Sequence, residues 1–450
     1  NINSSSEKVM KKQITVTCIL LCIGINALCQ VNLDSLRTVW NNQSLADTIR
    51  LQAVDKIARE AYAESQNDSA YYFAQLQYDF AESKGHKKQM ADALNTQGQA
   101  VKKQSDYASA IDYYTRSLTI REELGDKKGI ASSLHNIGII YYYQANFVSA
   151  IDYYTRSLAI KKELGDKRGI AALLNNIGII YSEQGDNASA IDYYTLCLAS
   201  MEEIGGKTGI ATSLNNIGNI YKQQGELVSA KDYYTRSLTI NEEIGNKTGM
   251  TFSLGNIGRI YLEQGDLVSA IDYSNRSLTI SEELGDKRVI AASLNDIGRI
   301  YYEQGDYASA KDYYTRSLKI NEELGDKTGI ATSLTSIGEI YKEQGDFVSA
   351  IEYCKRSLTL AQEVGAVLET RYAANTLYLA YKSTGQFPKA LEMHELFISI
   401  SDSISSEENQ KEVIRQEYKY AYERQAAADS VFAAEAQKVT NAQLKAQQAQ

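Results

Sequence analysis

Residues 130–167 read IASSLHNIGIIYYYQANFVSAIDYYTRSLAIKKELGDK. The same stretch returns with few changes every 40 residues, starting at Ile170, Ile210, Met250, Ile290 and Ile330. A unit of this length, with one helix-turn-helix per copy, cannot bury its apolar face alone and is typical of a solenoid. The period therefore predicts an all-α repeat fold, and it directs the question of function toward binding.

Each copy contains the spacing of two amphipathic helices. In the first helix, Leu134, Ile137 and Tyr141 recur at steps of three and four residues. Tyr154 and Leu158 follow the same spacing in the second helix. The glycine after Ile137 is the small residue that would let the two helices approach closely.

A Gly-Asp pair marks the helix ends in most copies. Gly185 is expected to end a first helix in the left-handed conformation, and Gly165 a second one. The aspartate that follows each glycine is expected to cap the next helix. The chain has a single proline, Pro388, so almost nothing interrupts the helices.

The motifs L-x2-I-G-x2-Y and A-x3-Y in each copy resemble the tetratricopeptide repeat (TPR), with Leu134 in place of the usual Trp. The 40-residue copies are similar to those of kinesin light chains and of the G-protein-linked spindle-orientation adaptors, which are interaction scaffolds. The resemblance implies a right-handed superhelical solenoid with no enzymatic activity of its own. It is specific over residues 91–370, which hold seven copies.

The regions flanking the repeats predict the domain organisation. Residues 10–29 have the short basic start and apolar stretch of a signal peptide, so we expect export to the periplasm. The predicted domains are the signal peptide at 10–29, an N-terminal helical cap with a degenerate repeat at 30–90, seven TPR repeats at 91–370, a degenerate C-terminal repeat at 371–410, and a long helix at 411–450.

The C-terminal segment leaves two function classes open. It lacks Gly and Pro from residue 405 onward, and Tyr418, Phe432 and Val439 recur at multiples of seven, so a weak coiled coil would allow self-association. An exported TPR array with such a helix resembles the sensory half of bacterial membrane signalling proteins. The first class is a stand-alone scaffold that binds a protein or peptide; the alternative is the extracytoplasmic input domain of a signal transducer, tethered to the membrane if the chain continues beyond Gln450.

Charge and motif content argue against nucleic acid, metal and catalytic chemistry. The net charge of −9 is spread over 47 basic and 56 acidic residues without a basic run, so we expect no nucleic-acid partner. Cys197 and Cys354 occupy packing positions, and the three histidines are dispersed. No phosphate-binding or nucleophile motif occurs in the sequence. The sequence therefore predicts no cofactor and no metal.

The TPR resemblance implies that side chains at the positions of Asn136 and Ile139 line a concave groove. Amides there would bind the backbone of an extended peptide, and arginines would bind a carboxylate. The alternative for the arginines is a surface ion pair four residues along the helix, with Glu263 or Glu303. The candidate groove residues are Asn136, Asn176, Asn216, Asn219, Asn256, Arg259 and Arg299.

Overall fold

The computed structural model describes residues 33–63 and 66–404, which contain helices and turns and no strand. The predicted signal peptide at 10–29 and the predicted long helix at 411–450 lie outside these ranges. The helices are α1 (Leu33–Asn41), α2 (Asp47–Ala63), α3 (Asn67–Ser83), α4 (Lys87–Lys103), α5 (Tyr107–Glu123), α6 (Lys127–Tyr143), α7 (Phe147–Glu163), α8 (Lys167–Glu183), α9 (Asn187–Glu203), α10 (Lys207–Gln223), α11 (Leu227–Glu243), α12 (Lys247–Glu263), α13 (Leu267–Leu284), α14 (Lys287–Glu303), α15 (Tyr307–Leu324), α16 (Lys327–Glu343), α17 (Phe347–Glu363), α18 (Val367–Ser383) and α19 (387–404).

The helices alternate between two roles that follow the repeat. The even-numbered helices from α4 to α18 are the first helices of successive copies, and the odd-numbered helices from α5 to α19 are the second helices. Two compact units can be distinguished, one ending at Ile180 and the other starting at Tyr181. The all-α repeat architecture predicted from the 40-residue period is confirmed. Within the described ranges, no helix is both long enough and apolar enough to cross a membrane.

The turns follow the predicted glycine and aspartate chemistry. Gly165 and Gly185 have φ values of 64° and 75°, in the left-handed region that favours glycine. The carboxylate of Asp166 accepts a hydrogen bond from the Gly169 backbone N–H at 2.9 Å, which caps α8. The turns before α5 and α7 depart from the pattern, because Ser105 and Ala145 adopt φ values of 62° and 55° where later copies have glycine.

A tyrosine ring fills the space that the helix glycine leaves in most of the helix pairs, called here the regular pairs; in two others Ser274 or Cys354 takes the place of the tyrosine. Tyr234 of α11 is fully buried, and a Cβ atom added to Gly218 of α10 would lie 2.8 Å from its ring. Tyr154 and Gly138 make the same contact in the first unit. Because real side chains do not tolerate such distances, the glycine is required by the ring.

A buried serine in the second helix adds a polar contact to six of the helix pairs. Ser157 Oγ donates to the Ala131 carbonyl oxygen at 2.7 Å, and Ser237 Oγ donates to the Ala211 carbonyl at 2.8 Å. Both serines are at most 1% exposed, so the bond satisfies hydroxyls that burial would otherwise penalise. Cys197 stands at this position in α9 and is also buried, as its packing role predicts.

Contacts between partly buried or exposed side chains also repeat with the same period. Tyr141 and Tyr153 stack with ring centroids 5.4 Å apart, and the Arg156 guanidinium lies 5.1 Å from the Tyr153 centroid. Lys127 at the start of α6 pairs with Glu163 at the end of α7 at 2.8 Å. Both partners of that pair are more than half exposed, so it contributes little to stability.

The glycine and tyrosine contact can be tested with two substitutions of the same chemical type. Gly218→Ala should destabilise the protein, because overpacking costs about 1–3 kcal/mol and exceeds the gain of up to about 1 kcal/mol from replacing a helical glycine. Gly255→Ala in α12 should stabilise it, since the nearest atom to the added Cβ is Ser277 Oγ at 3.9 Å. Urea unfolding followed by circular dichroism measures both, and a shift of the two variants in the same direction would contradict the contact.

Candidate functional site

A polar pocket of about 280 Å³ opens on the first helices of the second unit. Helices α8, α10 and α12 supply most of its wall, and α9 adds one tyrosine. Four of the seven groove residues predicted from the sequence line it. The residues of this polar pocket are Ser182, Tyr194, Asn216, Asn219, Lys222, Gln223, Asn256 and Arg259.

The other three predicted groove residues lie elsewhere on the first helices. Asn136 and Asn176 belong to α6 and α8 in the first unit, where both are partly buried. Arg299 is an exposed residue of α14 and does not line the pocket. The structure thus brings together the amides and the arginine of α10 and α12, and it leaves Arg299 apart from them.

The asparagines bind one another from copy to copy, in a series of contacts called here the amide ladder. Asn136 Nδ2 donates to Asn95 Oδ1 at 2.8 Å, across 41 residues of sequence. Asn256 Nδ2 donates to Asn215 Oδ1 at 3.2 Å across the same separation. One donor of each asparagine is therefore used within the protein, and the amides are less available to a peptide than the sequence suggested.

Arg259 replaces the amide ladder where two residues of the pattern change together. The next step of the ladder after Asn256 and Asn215 would join residues 296 and 255. Gly255 offers no side-chain acceptor, and Asp296 has a carboxylate in place of the amide donor. Arg259 fills the gap: its Nε lies 3.1 Å and its Nη2 2.9 Å from Asp296 Oδ2. The Asp296 carboxylate is the main cause of a raised pKa for Arg259.

The predicted helical ion pairs of the two arginines are wrong. Arg259 pairs with Asp296 of α14, and Glu263, its expected partner, pairs with Lys222 of α10 at 3.3 Å. The i,i+4 rule considers only one helix, whereas here the neighbouring first helices lie close enough to compete. Arg299 forms no ion pair with any residue of the described ranges.

Hydrogen bonds fix the orientation of Asn219 in the polar pocket. Its Oδ1 accepts from the Tyr234 hydroxyl at 2.7 Å and lies 3.5 Å from Asn256 Nδ2. Burial raises the pKa of Tyr234, which keeps the phenol protonated as a donor. With Oδ1 engaged in this way, the Nδ2 group of Asn219 remains a donor without a partner among the described residues.

His135 takes the place of an asparagine in the amide ladder of the first unit. Its Nε2 lies 2.9 Å from Asn176 Nδ2, and its ring packs edge-on against Tyr154 with centroids 5.7 Å apart. Burial, with lesser effects of Lys161 and Lys102, lowers the pKa of His135 to about 4. The imidazole is therefore neutral near pH 7 and accepts the amide hydrogen bond.

Sequence reasoning missed several residues of the polar pocket. Ser182, Lys222 and Gln223 were not predicted, although they lie one or two turns from predicted groove residues. A signal existed: the place of Lys222 varies among Lys, Tyr, Ser and Leu in copies that are otherwise nearly identical. In the described ranges, no group of three or more His, Cys, Asp or Glu side chains could hold a metal ion.

The repeats of this chain match a known protein family. The tetratricopeptide repeat family model matches four segments, which together make up more than half of the chain: residues 89–163, 169–243, 250–323 and 329–401. The comparison with curated protein sequences returns no match for this chain.

Solved structures share the architecture at low sequence identity. A signal transduction ATPase (STAND) with a tetratricopeptide repeat sensor from Pyrococcus horikoshii is 14% identical with a TM-score of 0.56, over 82% of this chain and 56% of that chain. A Rap protein in complex with competence and sporulation factor is 14% identical with a TM-score of 0.53, over 79% and 99% of the two chains. The apo quorum sensor NprR from B. thuringiensis is 13% identical with a TM-score of 0.53, over 78% and 98%. The TM-scores show a common fold, and at these sequence identities the likeness is limited to the fold.

The different environments of the two arginines predict different effects on stability. Arg259→Ala should destabilise α12 and α14 by about 1 kcal/mol, a value discounted because the arginine is 40% exposed. Arg299→Ala should change stability by less than about 0.5 kcal/mol, as expected for an exposed residue without an ion pair. Amide hydrogen exchange of α12 and α14 should accelerate about fivefold in the first variant only. Equal amide exchange rates in the two variants would contradict the structural role assigned to Arg259.

His135→Asn should change how stability depends on pH. In the unfolded chain a histidine binds its proton near pH 6.5, and in the folded protein only near pH 4. The unfolded state therefore binds more protons between these values, and His135 lowers the free energy of unfolding by up to about 3 kcal/mol as pH falls through this window. The variant keeps an acceptor for Asn176 and should match wild type at pH 7. Urea unfolding at pH 7 and pH 4.5 tests this prediction. Equal losses of unfolding free energy in wild type and the variant between the two pH values would contradict it.

Proposed function

Because the chain belongs to the tetratricopeptide repeat family, we propose that it is a protein-protein interaction scaffold that binds an extended peptide or protein segment on its first helices. The polar pocket is the observation that carries the proposal. It gathers side chains from three copies of the first helix, so an occupant would span successive repeats. A segment that runs along the first helices would present its main-chain groups to these amides.

The pocket is organised before any ligand binds. Tyr234 and Asn256 orient Asn219, and Asp296 holds Arg259. Side chains that are already fixed lose little conformational freedom on binding, which favours affinity. The Rap neighbour was solved with a bound factor, and NprR is a quorum sensor, which is consistent with ligand binding by this architecture.

The proposed partner is a protein or peptide, and the scaffold needs no cofactor. The negative net charge of the chain disfavours nucleic acid as a partner. Export to the periplasm rests on residues 10–29, outside the described ranges, and remains a prediction. The input domain of a membrane signal transducer remains the alternative, and self-association through residues 411–450 remains a prediction as well.

Selection from a displayed peptide library tests the proposal. Peptides enriched on the protein should lose at least about tenfold in affinity when Asn219 and Gln223 are both changed to Ala, since two hydrogen bonds of about 1 kcal/mol each are removed. The matched control changes Glu242 and Arg276, an exposed ion pair of the second helices, to Ala. Calorimetry would give the affinities. Peptides that bind the pocket variant and wild type equally would place the binding surface elsewhere.

A further inference from the structure

The charges at the polar pocket are neutralised within the protein. Each of its two cations has an intramolecular carboxylate partner: Arg259 pairs with Asp296, and Lys222 pairs with Glu263. Asp296 is only 18% exposed, so its interaction with the guanidinium is less screened than that of a surface pair. The pocket therefore presents two ion pairs with no net charge.

The hydrogen-bonding groups that remain open are neutral. Asn219 has two unused N–H donors on Nδ2, because its Oδ1 is occupied by Tyr234 and Asn256. The exposed amide of Gln223 and the hydroxyl of Ser182 make no side-chain hydrogen bond within the described part of the chain. Together they offer both donors and acceptors at one site.

A carboxylate ligand would meet two penalties in this setting. It must either displace Asp296 from Arg259 or lie beside the Asp296 and Glu263 carboxylates, where like charges repel. An ammonium ligand would be repelled in the same way by Arg259 and Lys222. A carboxamide carries no charge and offers two donors and an acceptor, which match Asn219, Gln223 and Ser182.

We propose that the polar pocket binds the uncharged carboxamide of a Gln or Asn side chain and discriminates against carboxylates by means of Asp296. This specificity rests on the proposed function, because it names the chemistry that a bound segment presents at this pocket. Asp296 acts as a specificity-determining residue by occupying Arg259, without contacting the ligand.

Blocked pentapeptides test the discrimination without interference from terminal charges. The probes are acetyl-Gly-Gly-X-Gly-Gly methyl esters with Gln, Glu, Lys or Gly as X, so that only the Gln peptide carries a primary carboxamide, titrated against the full chain by saturation-transfer NMR. Wild type should bind the Gln peptide about tenfold more tightly than the Glu peptide, because only a carboxylate must displace Asp296 from Arg259 or lie beside its like charge. The Gly peptide is the control for main-chain groups: binding equal to that of the Gln peptide would assign the pocket to the peptide backbone and contradict the inference.

Asp296→Asn should abolish the preference. The substitution releases Arg259 and brings in the residue type found at the same place in Asn136 and Asn256, so the fold should accept it. The Glu peptide should then gain about tenfold in affinity, as hydrogen bonds to a free guanidinium are stronger than those between neutral groups. Asp312→Asn is the matched control, since it removes the same charge from an exposed pair with Arg316 on α15.

Three outcomes would overturn the inference: wild type binding the Glu or the Gly peptide as tightly as the Gln peptide, an unchanged preference in Asp296→Asn, or no saturation transfer from the Gln peptide. These outcomes are distinguishable from failure of the proposed function. If peptides selected from the library lose affinity in the Asn219 and Gln223 variant but require Asp or Glu at this pocket, the scaffold role stands and the carboxamide specificity is wrong.

Discussion

The contact between a tyrosine ring and a helix glycine sets the spacing of the two helices in each regular copy. Tyr234 lies so close to Gly218 that even one methyl group would collide with its ring. At this separation Ser237 can reach the carbonyl of Ala211, so the close approach is also what satisfies the buried hydroxyl. The ring's own hydroxyl then reaches Asn219 in the polar pocket, which links the core of the helix pair directly to the candidate site.

The sequence predicts the helices well because their determinants are local. The spacing of Leu134, Ile137 and Tyr141 and the left-handed glycines act within a few residues, and the structure confirms both. The site depends on contacts across 37 or 41 residues, which one helix cannot reveal. Arg259 shows the limit: a carboxylate four residues away suggested one partner, while Asp296 of the neighbouring first helix provides the actual one.

Differences between copies indicate which residues form the candidate site, whereas the constant positions of the repeat indicate only the fold. Gly255, Arg259 and Asp296 depart from the pattern together, and they become intelligible only as one changed step of the amide ladder. Lys222 lies at a position that is Lys, Tyr, Ser or Leu in different copies, and it too lines the pocket. Positions that vary within an otherwise constant repeat are therefore the first place to look for specificity, whereas constant positions such as Gly218 describe the core.

The near identity of the copies also bears on how such a chain can change over time. Each regular helix pair uses the same ring, glycine and serine contacts, so one regular copy can follow another without a new core. Recombination between the nearly identical coding stretches would add or remove 40 residues at a time and leave the helical register unchanged. The length of the binding surface can in this way change in whole steps, and point substitutions at variable positions can then adjust what each step recognises.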